Sequence, residues 1–313
     1  MHKALLVLTF VLLAAVGLLL LLLLCSFCAH RICLRREAKK IADYGRRLKV
    51  FDGEINVLVT GSGAETLVLL PGYGTSSPGL DFTPLLRELQ NDFRIVVIEP
   101  FGYGLSSQTA RERTLGNIVE ELHDAVSQLG LSRYILGGHS IAGIYSLHYI
   151  QAYPDEVKAF VGIDTSVPKQ PFPGFSDVLI TFLQRAGIIR LAIRLSPDRF
   201  AVDYGDPEIS RQFGYLQMKN MSNPTLRREG QHLTSFFAAS RDMLFPRDLP
   251  VLLFVAPDSS TAVPNWHAMH EELLQNCTRA KLVELPGSHY LHHTASHEIA
   301  DEIKTAFLET GKA

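Results

Sequence analysis

A serine stands where an apolar run gives way to a helical pattern. The run at 134–138 is followed by His139 and Ser140, and then by Ala142 and Gly143. Small residues on both sides of a serine allow a strand to turn sharply into a helix, and such a turn exposes the hydroxyl. Ser140 is therefore a candidate nucleophile. The alternative interpretation is a structural turn without chemistry.

A histidine near the C-terminus offers the base that such a serine needs. The segment GSHYLHH places His289 after the last apolar run and before the last helical pattern. A serine hydroxyl is a weak nucleophile until a neighbouring base takes its proton. His292, His293 and His297 also suggest a metal site, but no carboxylate or cysteine pattern accompanies them. We assign His289 as the base because of its position in this loop. Because the metal pattern is incomplete, we expect neither a metal nor an organic cofactor.

The elements that must position these two residues alternate along the chain. A hairpin is predicted around Asp52-Gly53, and apolar runs then alternate with amphipathic segments. Strands that are apolar throughout and separated by helices are typical of a largely parallel sheet buried on both faces. The predicted strands are 66–70, 94–98, 134–138, 158–163, 251–256 and 281–285, and the predicted helices lie near 82–90, 114–129, 141–153, 265–276 and 295–309.

One long interval interrupts the alternation. Between Ile163 and Val251 the sequence has helical periodicity and no strand pattern. The prediction is a helical insertion at about 168–246. Open α/β sheets bind ligands beyond the carboxyl ends of their strands, so this insertion is expected to form a lid there.

The N-terminal segment predicts a membrane anchor. From Ala4 to Ala29 the chain carries no charged residue, and about 20 apolar residues cross a bilayer. A cleaved signal peptide is the competing interpretation, but no small-x-small cleavage site follows the leucine run. We predict an anchor at 1–30, a charged linker at 31–47 and a globular domain at 48–313. Basic residues are concentrated after the apolar segment, which places that domain in the cytoplasm by the positive-inside rule.

Charge and cysteine content exclude other classes. The chain has 30 Lys and Arg against 32 Asp and Glu, so it lacks the strongly basic character typical of nucleic-acid-binding proteins. Cys25, Cys28 and Cys33 lie at the membrane boundary, which leaves Cys277 alone in the globular part. A disulfide within the globular domain is therefore not expected.

Four motifs, in their order, resemble those of the α/β-hydrolase family from about Leu48 to the C-terminus. LLPGYG is similar to the oxyanion loop, with Pro71 where histidine is frequent, and EPFGYGLSS is similar to a D-x-x-G-x-G-x-S turn, with Glu99 for aspartate. GGHSIAG resembles the nucleophile turn and GSHYLHH the histidine loop. Within the family, the chain resembles membrane-anchored, lid-bearing bacterial members. This resemblance implies an α/β-hydrolase fold, with a mostly parallel sheet, helices on both faces and a helical lid, preceded here by a transmembrane helix.

The resemblance also implies roles for further residues. The backbone amides of Tyr73 and Ile141 are expected to form the oxyanion hole. An acid that orients His289 is expected between the serine and the histidine in chain order. Asp258, in APDSSTAVP after the seventh strand, and Asp164, in VGIDTSVP after the sixth, both remain open.

The function implied by the resemblance is that of a serine hydrolase. The expected substrate is a small-molecule ester or a lipid-like ester, cleaved through a Ser-His-Asp triad and an acyl-enzyme. An aminopeptidase or amidase acting on small residues is the enzymatic alternative, and a non-catalytic binding protein of the same fold is the other. Haloalkane dehalogenases and epoxide hydrolases of the family carry aspartate in place of Ser140, so those chemistries are not expected.

Overall fold

The computed structural model describes residues 2–174, 176–197, 202 and 204–308. The described strands form one sheet in the order β1-β2-β4-β3-β5-β6-β7-β8. The pairs β1–β2 and β2–β4 are antiparallel, and every other pair is parallel. The strands are β1 Arg46–Val50, β2 Gly53–Thr60, β3 Glu65–Leu70, β4 Phe93–Glu99, β5 Tyr134–His139, β6 Val157–Ile163, β7 Val251–Val255 and β8 Ala280–Glu284.

The described helices connect and flank these strands. They are α1 His2–Glu37, α2 Pro78–Asp81, α3 Thr83–Leu89, α4 Leu115–Gln128, α5 Ala142–Ala152, α6 Val178–Arg185, α7 Ile188–Leu195, α8 Pro207–Asn220, α9 Pro224–Ser240, α10 Pro257–Ala262, α11 Trp266–Leu274, α12 Leu291–Thr294 and α13 Ser296–Phe307. The six predicted strands match β3 to β8 within one residue at each end. The predicted α/β fold with a mostly parallel sheet is confirmed.

Helices cover both faces of the sheet because neighbouring residues of each central strand point to opposite sides. In β3, Leu67 and Leu69 belong to the core cluster formed with α3 and α13. Val68 and Leu70 belong to the cluster formed with α4 and α5. Burial on both faces explains why residues 67–70 of β3 form an unbroken apolar run.

The predicted hairpin is present, but its turn lies one residue earlier than expected. Val50 pairs with Gly53, so Phe51 and Asp52 form the turn. Phe51 adopts a left-handed φ of 45°, and the Arg111 guanidinium lies 3.6 Å from its ring centroid. Asp52 accepts hydrogen bonds from the Thr109 hydroxyl and the Ala110 amide. These contacts with the 109–111 loop fix the turn at this position.

The described chain divides into two compact units. One unit contains the sheet with α2–α5 and α8–α13, and the other contains α1, α6 and α7. The helix α1 continues through Glu37, so the charged linker predicted at 31–47 begins as helix. The insertion predicted at 168–246 contains α6 to α9, of which α8 and α9 belong to the sheet unit. Its positions 175, 198–201 and 203 lie outside the described residues.

Candidate active site

Ser140 occupies a sharp turn between β5 and α5. Its φ is 56°, a left-handed value that residues other than glycine rarely adopt. The Ser140 carbonyl accepts hydrogen bonds from the Gly143 amide at 3.0 Å and from the Ser166 amide at 2.8 Å. Such strain persists only where the surrounding structure enforces it, and it is typical of functional sites.

The small neighbours of Ser140 are required by close packing. A Cβ atom at Gly138 would lie 2.7 Å from the Cβ of Ala142, so the methyl group of Ala142 fits only because residue 138 lacks a side chain. A Cβ atom at Gly143 would lie 2.4 Å from the Ser166 carbonyl oxygen. Alanine at 142, where glycine is frequent in the family, is therefore compatible with this turn.

The carboxylate that contacts His289 is that of Asp164. The Nδ1 atom of His289 lies 2.6 Å from Oδ2 of Asp164, and the Asp164 side chain is fully buried at the end of β6. Asp258, the other aspartate left open by the sequence, lies on α10 with an exposed side chain. The next residue of α10, Ser259, nevertheless contacts Asp164, because its hydroxyl donates a hydrogen bond to Oδ2 at 2.5 Å.

Two further donors hold Asp164 in place. The Ala256 amide donates to Oδ1 at 2.9 Å, and the indole Nε1 of Trp266 donates to the same oxygen at 2.8 Å. Burial alone would raise the pKa of Asp164, but the hydrogen bonds from His289, Ser259 and Ala256 outweigh it and the pKa is lowered. Asp164 is therefore an ionised carboxylate aimed at Nδ1 of His289.

A second histidine supports the loop that carries His289. His139, the residue before Ser140, is buried and its Nε2 donates to the main-chain carbonyl of His289 at 3.0 Å. Burial, together with the nearby His292 and His289, holds the pKa of His139 well below its usual value, so the ring is neutral. In the sequence, His139 is visible only as a member of the GGHSIAG motif. The feature that could have indicated its supporting role is its position directly before Ser140.

Of the other three histidines in the C-terminal cluster, two share one carboxylate and the third has a different partner. His292 and His293 contact the two carboxylate oxygens of Asp81 at 2.9 and 3.0 Å, while His297 is exposed and pairs with Glu88. Asp81 is the carboxylate that the sequence pattern did not reveal, because α2 lies about two hundred residues earlier in the chain.

Asp81, His292 and His293 are the described residues whose arrangement could hold a metal. Their ligand atoms lie within 4.8 Å of one another. Burial would raise the pKa of Asp81, but His292 and His293 outweigh burial and lower it. Both contacts have ordinary hydrogen-bond lengths, so hydrogen bonding accounts for the cluster. The expectation of no metal stays a prediction.

One cavity of about 220 Å³ connects the candidate residues. Ser140, His289, Tyr73 and Ile141 all line it, so the structure brings both residues predicted for the oxyanion hole to the candidate nucleophile. Ile141 directly precedes α5, and the first amides of a helix have no partner within it. The rest of the wall is formed by Gly72, Thr75, His139, Ser166, Gln170, Phe172, Leu233, Phe237 and Tyr290.

A buried polar network attaches α9, which carries Leu233 and Phe237, to the sheet unit. Glu229 accepts hydrogen bonds from the hydroxyls of Tyr103 and Tyr145 at 2.6 and 2.8 Å. Its other oxygen lies 3.8 Å from the buried Arg113, which also donates to Glu121 at 2.6 Å. Tyr145 lies on α5, the helix that follows Ser140, so Glu229 joins α9 of the cavity wall to α5.

The substitution of Glu99 for the usual aspartate is explained by the contacts of its side chain. Glu99 is buried and accepts hydrogen bonds from Tyr44, Asn56 and the amides of Gly79 and Leu105, at distances from 2.5 to 3.0 Å. A Cβ atom at Gly104 would lie 1.9 Å from its Oε2. The role of Glu99 is to close the turn after β4.

Comparisons with known proteins agree with this fold. A family model described as "alpha/beta hydrolase fold" matches residues 65–296. The uncharacterized protein YbdG of Bacillus subtilis (strain 168) is 27% identical over 310 residues, which cover 91% of this chain and 92% of YbdG. The putative carbamate hydrolase RutD of Pantoea ananatis is 37% identical over 103 residues, which span 32% of this chain and 36% of RutD.

Solved structures share the fold at low sequence identity. Cfl2 of Burkholderia cenocepacia superimposes with a TM-score of 0.68 at 17% identity, over 84% of this chain and 95% of Cfl2. The enol-lactonase of Burkholderia xenovorans LB400 gives a TM-score of 0.62 at 17% identity, over 84% of this chain and all of that one (100%). At this identity the likeness establishes the architecture alone.

Proposed function

Because this chain belongs to the α/β-hydrolase family, we propose that it is a serine hydrolase that cleaves carboxylic esters through an acyl-enzyme on Ser140. The observation that carries the proposal is the 2.6 Å contact between His289 and Asp164, at the edge of the cavity that Ser140 also lines. Proteins of this family and architecture include hydrolases.

The proposed reaction begins with attack of the Ser140 hydroxyl oxygen on the ester carbonyl. His289 takes the serine proton at Nε2, while Asp164 holds Nδ1 protonated and stabilises the imidazolium that forms. The amides of Tyr73 and Ile141 donate to the oxyanion, and removal of one such donor typically costs about 3–4 kcal/mol of transition-state stabilisation. The alcohol leaves with the proton from His289. Water then attacks the acyl-enzyme with the same residues acting again, and the carboxylic acid is released.

The cavity favours a compact acyl group. Its volume of about 220 Å³ is smaller than the ~300–1,000 Å³ of pockets for drug-sized ligands. Phe172, Leu233 and Phe237 supply an apolar side. We therefore expect esters of short acyl chains to be turned over faster than esters of long ones.

Labelling with a fluorophosphonate probe tests the nucleophile. Wild-type protein should be labelled, and Ser140→Ala should abolish labelling and ester turnover with an unchanged melting temperature, because only a hydroxyl is removed. Ser166→Ala is the matched control, since Ser166 lines the same cavity, and it should keep the label. Labelling that survives in Ser140→Ala would contradict the proposal. Absence of labelling in folded wild-type protein would favour a non-catalytic binding protein.

A substrate panel separates the enzymatic alternatives. It should contain p-nitrophenyl esters of increasing acyl length, a matched carbamate, and anilides of small amino acids. We expect the short esters to give the highest kcat/KM. Preference for the anilides would favour the aminopeptidase alternative. Preference for the carbamate would favour the activity that the name of RutD, a putative carbamate hydrolase, suggests for that relative.

The membrane anchor is a second part of the proposal. Helix α1 is the described helix that is long and apolar enough to cross a bilayer. We propose that it does so, with the sheet unit in the cytoplasm because of the basic residues that follow the apolar segment. The full chain should remain in membranes washed with alkaline carbonate, and protease added to spheroplasts should leave the sheet unit intact. Release by carbonate, or digestion from outside, would contradict these two assignments respectively.

A further inference from the structure

The unit that contains α1 presents an unusual amount of apolar surface beyond α1 itself. On α6, Val178, Leu179 and Phe182 are 68%, 66% and 53% exposed, and on α7 Leu191 and Leu195 are 50% and 75% exposed. Amphipathic helices of a soluble protein normally turn such side chains toward a core. Contiguous apolar surface left exposed marks a site of contact with a protein or a membrane.

Helix α7 is attached to α1 by close packing at its first residues. A Cβ atom at Gly187, which precedes α7 with a φ of +77°, would lie 2.8 Å from both the Ser26 carbonyl oxygen and the Cβ of His30. Glycine at this position therefore allows the start of α7 to contact the backbone of α1. His30 is only 2% exposed as a result.

An ion pair fixes the same two helices one turn further on. Arg190 donates to both carboxylate oxygens of Glu37, at 2.5 and 2.7 Å, and its Nε donates to Nδ1 of His30 at 3.1 Å. A bidentate arginine–carboxylate pair defines orientation as well as distance. The start of α7, from Gly187 to Arg190, is thus placed along α1 between Ser26 and Glu37.

This position corresponds to the boundary of a bilayer that α1 crosses. At 1.5 Å per residue, the uncharged stretch from Ala4 to Ala29 is about 39 Å long, against a hydrocarbon core of about 30 Å. Ser26 and His30 therefore fall near the headgroups. Exposed arginines lie on α1 and on the two shorter helices of the same unit, namely Arg31, Arg35, Arg36, Arg185 and Arg194. Arginines at this depth attract anionic lipid headgroups.

We propose that α6 and α7 lie in the interfacial layer of the bilayer, with Val178, Leu179, Phe182, Leu191 and Leu195 among the acyl chains. The occupant of this apolar surface is the same lipid bilayer that α1 crosses, because all three helices belong to one compact unit. The proposal rests on the membrane-spanning assignment of α1 and is independent of the catalytic assignment.

Quenching of tryptophan fluorescence by brominated lipid tests the proposal in the full chain. Leu179→Trp and Leu195→Trp are reconstituted in phosphatidylcholine–phosphatidylglycerol vesicles, with or without bromine near the headgroup end of the acyl chains. Asn276→Trp, at an exposed position of the sheet unit, is the matched control. The single native tryptophan, Trp266, is buried and gives a constant background.

The expected result is about a twofold loss of the added emission for the α6 and α7 variants, because interfacial helices insert their apolar face ~5–10 Å into the headgroup boundary. The Asn276→Trp emission should not change. Flotation of the vesicles is measured in parallel. Unquenched variants that float with the vesicles would overturn the interfacial placement and leave the anchor intact. Variants that do not float would overturn both. Neither outcome alters fluorophosphonate labelling of Ser140.

Discussion

Replacement of Asp164 by asparagine is expected to abolish turnover while the protein still folds. Its two oxygens have different donors: Oδ1 accepts from the Ala256 amide and the Trp266 indole, and Oδ2 accepts from Ser259 and His289. Ala256 and Trp266 can only donate. The asparagine oxygen must therefore take the Oδ1 position, and the amide nitrogen must face Ser259 and His289.

This orientation determines the size of the effect. An amide nitrogen can only donate, so Nδ1 of His289 becomes an acceptor and the proton moves to Nε2. A histidine protonated at Nε2 cannot take the proton of Ser140. In a serine protease the equivalent change lowers turnover about 10⁴-fold, or roughly 5.4 kcal/mol, and we expect a loss of that order here. The hydroxyl of Ser259 can rotate to accept from the amide, so the fold should survive.

The assay is steady-state hydrolysis of a short-chain p-nitrophenyl ester, with a melting curve for each variant. Asp258→Asn is the matched control, because it makes the same chemical change at an exposed carboxylate two residues from Ala256. Its turnover should equal that of the wild type. A loss of less than about tenfold in folded Asp164→Asn, or a comparable loss in Asp258→Asn, would refute this assignment of the acid.

Substitutions at His139 and Glu229 and one pH series provide three further tests of the site. His139→Leu removes the donor to the His289 carbonyl and should lower kcat about tenfold with little change in KM, because the loss of one hydrogen bond has about that effect. His139→Gln should recover part of the loss, and an unchanged kcat in His139→Leu would show that His139 does not position the loop. Glu229→Ala leaves the buried hydroxyls of Tyr103 and Tyr145 without their acceptor and removes the carboxylate that pairs with Arg113, so it should lower the free energy of unfolding in urea by about 3–5 kcal/mol. A cost below about 1 kcal/mol would argue against the network. The depressed pKa of Asp164 adds stability that is present above the unfolded-state value of about 3.9 and is lost as pH falls through the lower folded value. The stability advantage of wild type over Asp164→Asn should therefore shrink below about pH 4, and an advantage independent of pH would contradict this sign.

Much of the architecture and part of the candidate site could be predicted from the sequence, because those features depend on local patterns. Residues 67–70 of β3 and 95–98 of β4 are all apolar because both faces of these strands are covered, and that pattern is visible in the letters alone. Ser140 could be predicted as a candidate nucleophile because Gly138, Ala142 and Gly143 must be small wherever this turn occurs. His289 could be predicted as the base from its position in the loop between the last strand and the last helix.

Only the tertiary structure shows three features: the contact of Asp164 with His289, the hydrogen bond from His139 to the His289 carbonyl, and the exposed apolar side chains of α6 and α7. Asp164 and Asp258 are equivalent as residue types in loops after adjacent strands. The direction of each side chain depends on donors that the fold supplies, and Asp164 receives them from Ala256, Ser259 and Trp266 about a hundred residues later. Asp81 reaches His292 and His293 across more than two hundred residues. Local patterns report which face of an element is apolar, whereas contacts between distant residues depend on how the elements pack, and packing is a property of the whole chain.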